Sequence, residues 1–210
     1  MEALPKGLYA ILDPDQCGGR DPLHYGKALL EAGVRLLQLR DKRYRAARAL
    51  ELARALNAMC RRSGALFIVN DRLDVALLSG AAGLHLGPDD LPVDAARRAL
   101  GPEAIIGRSS NSIEEALAAE RSGASYLAFG PLYETASKTG SPLRERRELG
   151  GLRELCRCTS LPVFGIGGIT PERAGEVAEA GAAGAAVIAS LARSGNLAES
   201  VDQLNAPWRL

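Results

Sequence analysis

The chain predicts an α/β protein folded as a closed (β/α)8 barrel, the TIM barrel, with residues 1–210 forming a single domain. Three observations carry this. Eight short apolar runs alternate strictly with helical patterns, and a parallel pair of strands needs a crossover helix between its members. The runs are apolar at nearly every residue, as strands covered on both faces are. Glycines recur just ahead of the runs, at Ala32-Gly33, Gly64, Ala82-Gly83, Gly123 and Ala180-Gly181, where they read as helix C-caps. An open doubly wound sheet is disfavoured because no GxGxxG turn follows the first run.

In chain order the first strand is Gly7–Leu12, followed by a helix over Pro22–Ala32. The second is Val34–Arg40, with a long alanine- and leucine-rich helix over Tyr44–Arg62. Ala65–Asn70 leads into a short helix at Leu73–Leu78, and Gly83–Gly87 into one at Pro92–Leu100. Ala104–Gly107 and Ser125–Gly130 are the fifth and sixth strands, with helices at Ser112–Arg121 and Leu149–Arg157. Pro162–Ile166 breaks at Gly167-Gly168, after which Thr170-Pro171-Glu172 reads as an N-cap, a proline at the first helical position and a first-turn acid. That helix ends at Gly181, Ala185–Ala189 is the eighth strand, and Asn196–Leu204 closes the chain with a helix. The one long irregular segment, Leu132–Glu148, is polar enough to read as an active-site loop.

Composition narrows the partners. Apolar residues make up 47% and charged residues 24% of the chain, a globular balance. The 26 basic and 25 acidic side chains nearly cancel, so no basic surplus points to nucleic acid. No apolar run is long enough to cross a bilayer and the first residues lack a signal-peptide layout, so a cytoplasmic protein with no membrane partner is expected. A homo-oligomer is compatible with all of this. Cys17, Cys60, Cys156 and Cys158 form no CxxC pair, and His24 and His85 are the only histidines, a pattern of ordinary reduced thiols rather than a zinc or redox site.

In a barrel of this kind chemistry belongs where strands end. Gln38 and Arg40 alternate on one face of the second strand, and Lys42 extends their parity. Two readings stand: cations and an amide converging on a pyrophosphate, or a solvated strand end. The third strand ends Asn70-Asp71, and the loop after the fourth carries Asp89-Asp90. Carboxylates on neighbouring tips suit Mg²⁺, whereas Asp89-Asp90 taken alone reads as a helix cap. The fifth strand is followed by Arg108-Ser109-Ser110-Asn111, and Ser112, three before Glu115, fits a capping box. Thr135, Ser137 and Lys138 follow the sixth strand. Gly167-Gly168 reads equally as a backbone cup for a phosphate or as a tight turn packed closely. Together these describe two phosphorylated small molecules, one a metal-bound pyrophosphate. No nucleophile with an adjacent base is evident, and His85, in mid-strand, reads as a packed, hydrogen-bonded histidine.

QLRDK, ND, GLHLG followed by an acidic pair, a serine after the fifth strand, YLAFGP with a following threonine and lysine, and PVFGIGGI occur in this order on successive strand tips. In these motifs, over nearly its whole length, the chain resembles the thiamine phosphate synthase family. The resemblance implies coupling of a hydroxymethylpyrimidine pyrophosphate to a thiazole phosphate, with Mg²⁺ as cofactor and release of pyrophosphate. It further implies that Gln38, Leu39, Arg40, Asp41, Lys42, Asn70, Ser109 and Lys138 hold the pyrimidine pyrophosphate, with Arg40, Lys42, Ser109 and Lys138 acting in catalysis. Asp71 and Asp90 would ligate the metal; Thr135, Ala136, Ser137, Gly167, Gly168, Ile188 and Ala189 would hold the thiazole phosphate. Pro88 stands where the family commonly has glutamine, Asn111 where histidine is common, Ser137 where threonine is usual, and Ala189 where a serine often helps hold phosphate. The thiazole tautomerase branch is also similar in GRSSNSIEEA and FGPLYET, although Pro131 sits where some of its members have histidine. A non-catalytic thiazole-phosphate-binding barrel is a third alternative.

Overall fold

The computed structural model describes residues 4–43, 46–134 and 149–209. Eight parallel strands hydrogen-bond in sequence order and close into a barrel. They are β1 Gly7–Leu12, β2 Leu36–Leu39, β3 Leu66–Asn70, β4 Gly83–Leu86, β5 Ile105–Ser110, β6 Tyr126–Phe129, β7 Val163–Ile166 and β8 Gly184–Val187. Closure comes from β8 against β1, with Gly7 opposite Gly184 and Ala10 opposite Val187. The helices among the described residues are α1 Pro22–Glu31, α2 Ala46–Arg62, α3 Leu73–Ser79, α4 Val93–Leu100, α5 Ile113–Arg121, α6 Leu149–Cys158, α7 Pro171–Glu179, α8 Ala189–Ala192 and α9 Leu197–Asn205.

Side-chain caps mark the starts of α1, α5 and α9. Asp21 accepts the Leu23 and His24 N–H groups at 3.0 Å and Pro22 opens α1. Ser112 caps α5 through the Glu115 N–H at 3.2 Å, while the Glu115 carboxylate reaches back to the Asn111 N–H at 2.7 Å. Ser112 is thus a capping residue. Thr170 occupies the N-cap position of α7, but its hydroxyl makes no capping bond. Asp89 and Asp90 do not cap α4, whose N-cap position is Pro92; the Asp90 carboxylate instead accepts the Gly87 N–H at 2.6 Å.

Several boundaries differ from the sequence expectation, three of them with a visible physical cause. β5 continues to Ser110, so Ser109 lies on the strand and not in the loop after it. β8 stops at Val187 because Ile188 turns to φ −114°, ψ −79°, and the alanine-rich residues beyond it wind into α8. Gly83 is no helix cap. It begins β4, where a Cβ would lie 1.9 Å from the Ile105 carbonyl oxygen, and the left-handed C-cap of α3 is Gly80 at φ +67°.

Strand parity divides the core in two. Leu8, Ala10, Leu12, Leu37, Leu39, Phe67 and Val69 face outward into the layer shared with the helices. Tyr9, Leu36, Ile68, Ile105, Tyr126, Phe164 and Ala186 fill the barrel interior. At its centre Tyr9, Tyr126 and Phe164 meet edge to face, with centroids 5.4 to 5.8 Å apart. Gly107 leaves the space that the Tyr126 ring occupies: a Cβ there would be 2.0 Å from Tyr126 Cζ. Gly107→Ala should therefore destabilise the protein by about 1–3 kcal/mol. Gly175→Ala, in α7 with no atom within 4 Å of the added carbon, should stabilise it by about 0.5–1 kcal/mol. Urea unfolding of the two variants measures both.

Candidate active site

The C-terminal ends of the strands enclose two adjoining cavities, of about 430 and 230 Å³. Ile166, Ala186 and Ile188 line both and form a shared apolar wall.

The polar side of the larger cavity is built by β1 to β5. Gln38, Arg40 and Lys42 project into it from one face of β2 and its extension. The backbone keeps that extension in line, since the Arg40 N–H donates to the Leu12 carbonyl at 2.9 Å. Asn70 and Asp71 come from the tip of β3, Asp89 and Asp90 from the loop after β4, and Ser109 from β5. Leu39 has the opposite parity and packs among the helices. Asp41 does not line the cavity; one of its oxygens accepts the Arg43 N–H at 3.2 Å, and the other is buried with no hydrogen-bond partner.

Opposite charges pair in this wall before any ligand arrives. The Lys42 ammonium binds the Asp71 carboxylate, and the Arg40 guanidinium binds Asp13 at 2.5 Å with both side chains largely buried. Asp13 also accepts the Asp15 N–H and the Gln16 amide, so it anchors Arg40 from the tip of β1. Asp71 is the one non-glycine residue with positive φ among the described residues, at +61°. Its N–H donates to the His85 carbonyl at 2.8 Å, which carries the β3–β4 pairing one residue further through this turn. The Asp90 carboxyl is held above the ordinary carboxylate range, first by burial and then by its hydrogen bond with the Asp71 side chain, while Lys42 opposes the shift.

The smaller cavity is lined by Gly167, Gly168, Ile188 and Ala189, together with Thr170, Arg173, Ser190 and Arg193. Gly167 and Gly168 adopt φ +100° and +64°. Added Cβ atoms would lie 2.6 Å from Pro131 and 2.5 Å from the Glu134 carbonyl oxygen. The chain after β6 is laced to this turn by the Leu132 N–H to Ile166 O and Tyr133 N–H to Gly167 O bonds, at 2.9 and 3.1 Å. The glycines thus permit close packing and also form cavity wall. Thr135, Ala136, Ser137 and Lys138, and most of the expected Leu132–Glu148 loop, lie outside the described residues.

Several lining residues escaped the sequence reading. His85 is packed and hydrogen-bonded as expected, yet it also reaches the cavity, 2.9 Å from Ser109 Oγ. Its register opposite Asn70 and Gly107 places it on the inward parity, a signal the alternation already carried. Arg173, stacked over the Tyr133 ring at 4.5 Å and bonded to the Gly168 carbonyl, had no comparable signal, because its place depends on how α7 sits against the loop after β6. Among the described residues no group of three or more His, Cys, Asp or Glu side chains gathers as a metal site, the four cysteines are free, and no helix is long and apolar enough to cross a membrane.

Fold and mouth define the class: a (β/α)8 barrel whose ligand pocket lies at the C-terminal ends of its strands. The chain belongs to the thiamine monophosphate synthase family, whose model matches residues 8–191. It is 42% identical over 199 residues to the thiamine-phosphate synthase of Moorella thermoacetica, covering 94% of this chain and 93% of that one. The same enzyme from Laribacter hongkongensis is 42% identical over 201 residues, covering 95% of this chain and 93% of the relative. Among solved structures, thiamine phosphate pyrophosphorylase from Pyrococcus furiosus superposes with a TM-score of 0.86 at 34% identity, covering 96% of this chain and 94% of that one.

Asp41 offers a test of the electrostatics at this mouth. Burial, and then the charges of Asp13 and Asp15, push its carboxyl up to about 6. A carboxyl raised above its unfolded value favours the folded state at low pH and loses that contribution as pH rises through the folded value. Asp41→Asn should therefore raise the melting temperature at about pH 8 and leave it nearly unchanged at about pH 4, as scanning calorimetry will show.

Proposed function

We propose that this chain is a transferase that joins a hydroxymethylpyrimidine pyrophosphate to a thiazole phosphate, giving thiamine phosphate and pyrophosphate. The observation that carries this is the pair of cavities with one common wall: one holds cations and carboxylates, the other a glycine turn. Two substrates seated in them would meet across Ile166, Ala186 and Ile188. Holding both reactants in one orientation removes much of the entropy cost of a bimolecular step.

In this reading Arg40, Lys42 and Asn70 hold the pyrophosphate, and Gln38 and Ser109 the pyrimidine side. Gly167, Gly168, Ile188 and Ala189 hold the thiazole phosphate, with Ser190, the next residue, also on the cavity wall where Ala189 lacks a hydroxyl. Lys138 and Thr135 to Ser137 enter the reading through the family resemblance. Asp71 and Asp90 fit Mg²⁺: two carboxyls in direct contact repel when both are ionised, and a hard divalent cation takes such oxygen ligands beside phosphates. When bound, the ion supplies charge neutralisation for the departing pyrophosphate.

The bond from the methylene carbon to the pyrophosphate oxygen breaks, and its electron pair leaves with pyrophosphate. Arg40 and Lys42 stabilise the charge that grows there, each with N–H donors to spare beyond the one contact it makes to Asp13 or Asp71. The electron-rich aminopyrimidine supports the carbon, and the thiazole nitrogen lone pair closes the new C–N bond. No covalent enzyme intermediate is needed.

Incubation of the chain with both phosphorylated precursors and Mg²⁺ should release pyrophosphate with matching thiamine phosphate; no product at high enzyme concentration would refute the reading. Lys42→Ala should lower kcat/KM by about 10²–10³, as loss of a transition-state charge contact does. Asp71→Asn should raise the Mg²⁺ concentration needed for half-maximal rate, measured by metal titration after chelation.

A further inference from the structure

Beneath the larger cavity an unbroken line of hydrogen bonds crosses the barrel. Gln38 Nε2 lies 2.6 Å from the Tyr9 hydroxyl, the Tyr9 and Tyr126 hydroxyls are 2.7 Å apart, Tyr126 is 3.0 Å from His85 Nδ1, and His85 Nε2 is 2.9 Å from Ser109 Oγ. The five residues come from β2, β1, β6, β4 and β5. Gln38, Tyr9, Tyr126 and His85 are all buried, with at most 6% of their surface exposed. The two ends, Gln38 and Ser109, both face the cavity.

We infer that Tyr9 and Tyr126 are positioning residues that set the direction of this chain, so that Gln38 presents an acceptor and Ser109 a donor to the pyrimidine substrate. The supply of protons fixes the direction. An amide nitrogen only donates, so the Tyr9 oxygen accepts from Gln38. Burial keeps both phenols in their protonated form, and each therefore has one proton to give. Tyr9 gives its proton to Tyr126, and Tyr126 gives its own to His85 Nδ1. A proton on Nδ1 as well would leave one hydroxyl proton without an acceptor in a closed aromatic core. His85 is thus the Nε2–H tautomer, and its N–H donates to Ser109 Oγ. The Ser109 proton is then directed away from His85, toward the cavity, and Gln38 keeps its Oε1 to accept. A 4-aminopyrimidine, with N–H donors beside a ring-nitrogen lone pair, suits such an acceptor and donor.

Gly107 belongs to the same device. Its missing side chain admits the Tyr126 ring, whose plane stacks on His85 at 27° with centroids 5.5 Å apart. The ring is thereby held where its hydroxyl meets Nδ1.

This inference rests on the assignment of Gln38 and Ser109 to the pyrimidine side, and the test separates the two claims. The full chain is labelled with ¹⁵N-histidine and its ring nitrogens are read by long-range ¹H–¹⁵N correlation at about pH 8, where free imidazole is neutral. With two histidines in the chain, His24, whose side chain is 86% exposed, serves as the solvent-exposed reference. His85 should show the Nε2–H pattern. Tyr126→Phe removes the donor to Nδ1 and should mix the two tautomers. Tyr9→Phe leaves the Tyr126 to His85 bond in place and should keep the Nε2–H pattern. Both variants should raise KM for the pyrimidine pyrophosphate by about tenfold, roughly one hydrogen bond, with KM for the thiazole phosphate unchanged.

A wild-type Nδ1–H pattern would mean that the chain runs in the opposite direction, and it would overturn the inference. So would a Tyr126→Phe protein that keeps both tautomer and KM. If Tyr126→Phe does not fold, the wild-type tautomer and the KM split of Tyr9→Phe decide. An Nε2–H signature in a protein that couples nothing would fault the functional reading and leave the chain of hydrogen bonds standing.

Discussion

The pairing of β8 with β1 is the constraint from which the mouth of the barrel follows. Once eight strands close with fixed register, alternate residues on each must face inward, and the last inward residue of each strand is delivered to one end. Gln38, Asn70, Ser109, Ile166 and Ala186 all occupy such positions, so the wall of the larger cavity continues the layered interior that holds Tyr9, Tyr126 and Phe164. The core and the site share one set of side chains, and a change that disturbs the aromatic centre reaches the mouth directly.

The mouth is also preorganised in charge. Lys42 with Asp71 and Arg40 with Asp13 are ion pairs of residues far apart in the chain that fix both cations on the cavity wall. The Arg40–Asp13 pair is largely buried and offsets the cost of desolvating that cation, whereas Lys42 stays half-exposed. The contact between Asp71 and Asp90 has the opposite character. Two acids in contact repel when both are ionised, which adds to burial in holding the Asp90 carboxyl above the ordinary carboxylate range.

Much of the fold was legible because it rests on local and periodic features. The alternation of runs, the cap at Ser112, and the parity of Gln38, Arg40 and Lys42 all follow from chemistry within a few residues. The misses have a common cause. Gly83 looked like a cap because a glycine ahead of a strand usually is one, but the decisive fact is its close approach to Ile105 on the neighbouring strand. Asp89-Asp90 taken alone looked like a cap because acids often precede a helix, whereas the Asp90 carboxylate accepts the Gly87 N–H and bonds with the Asp71 side chain. The eighth strand was read two residues too long because Ile188 and Ala189 are apolar, and apolarity does not report the turn that Ile188 makes.

The sequence by itself determined the number and order of strands, the side each residue takes, and the residue types gathered at the strand tips, since all of these depend on spacing along the chain. Tertiary structure alone decided which of those residues touch. Asp13 finds Arg40, Lys42 finds Asp71, and His85 lies between Tyr126 and Ser109 because closure brings distant strands side by side. Hydrogen bonds and ion pairs act over a few ångströms of space, and spacing along the chain does not encode that distance.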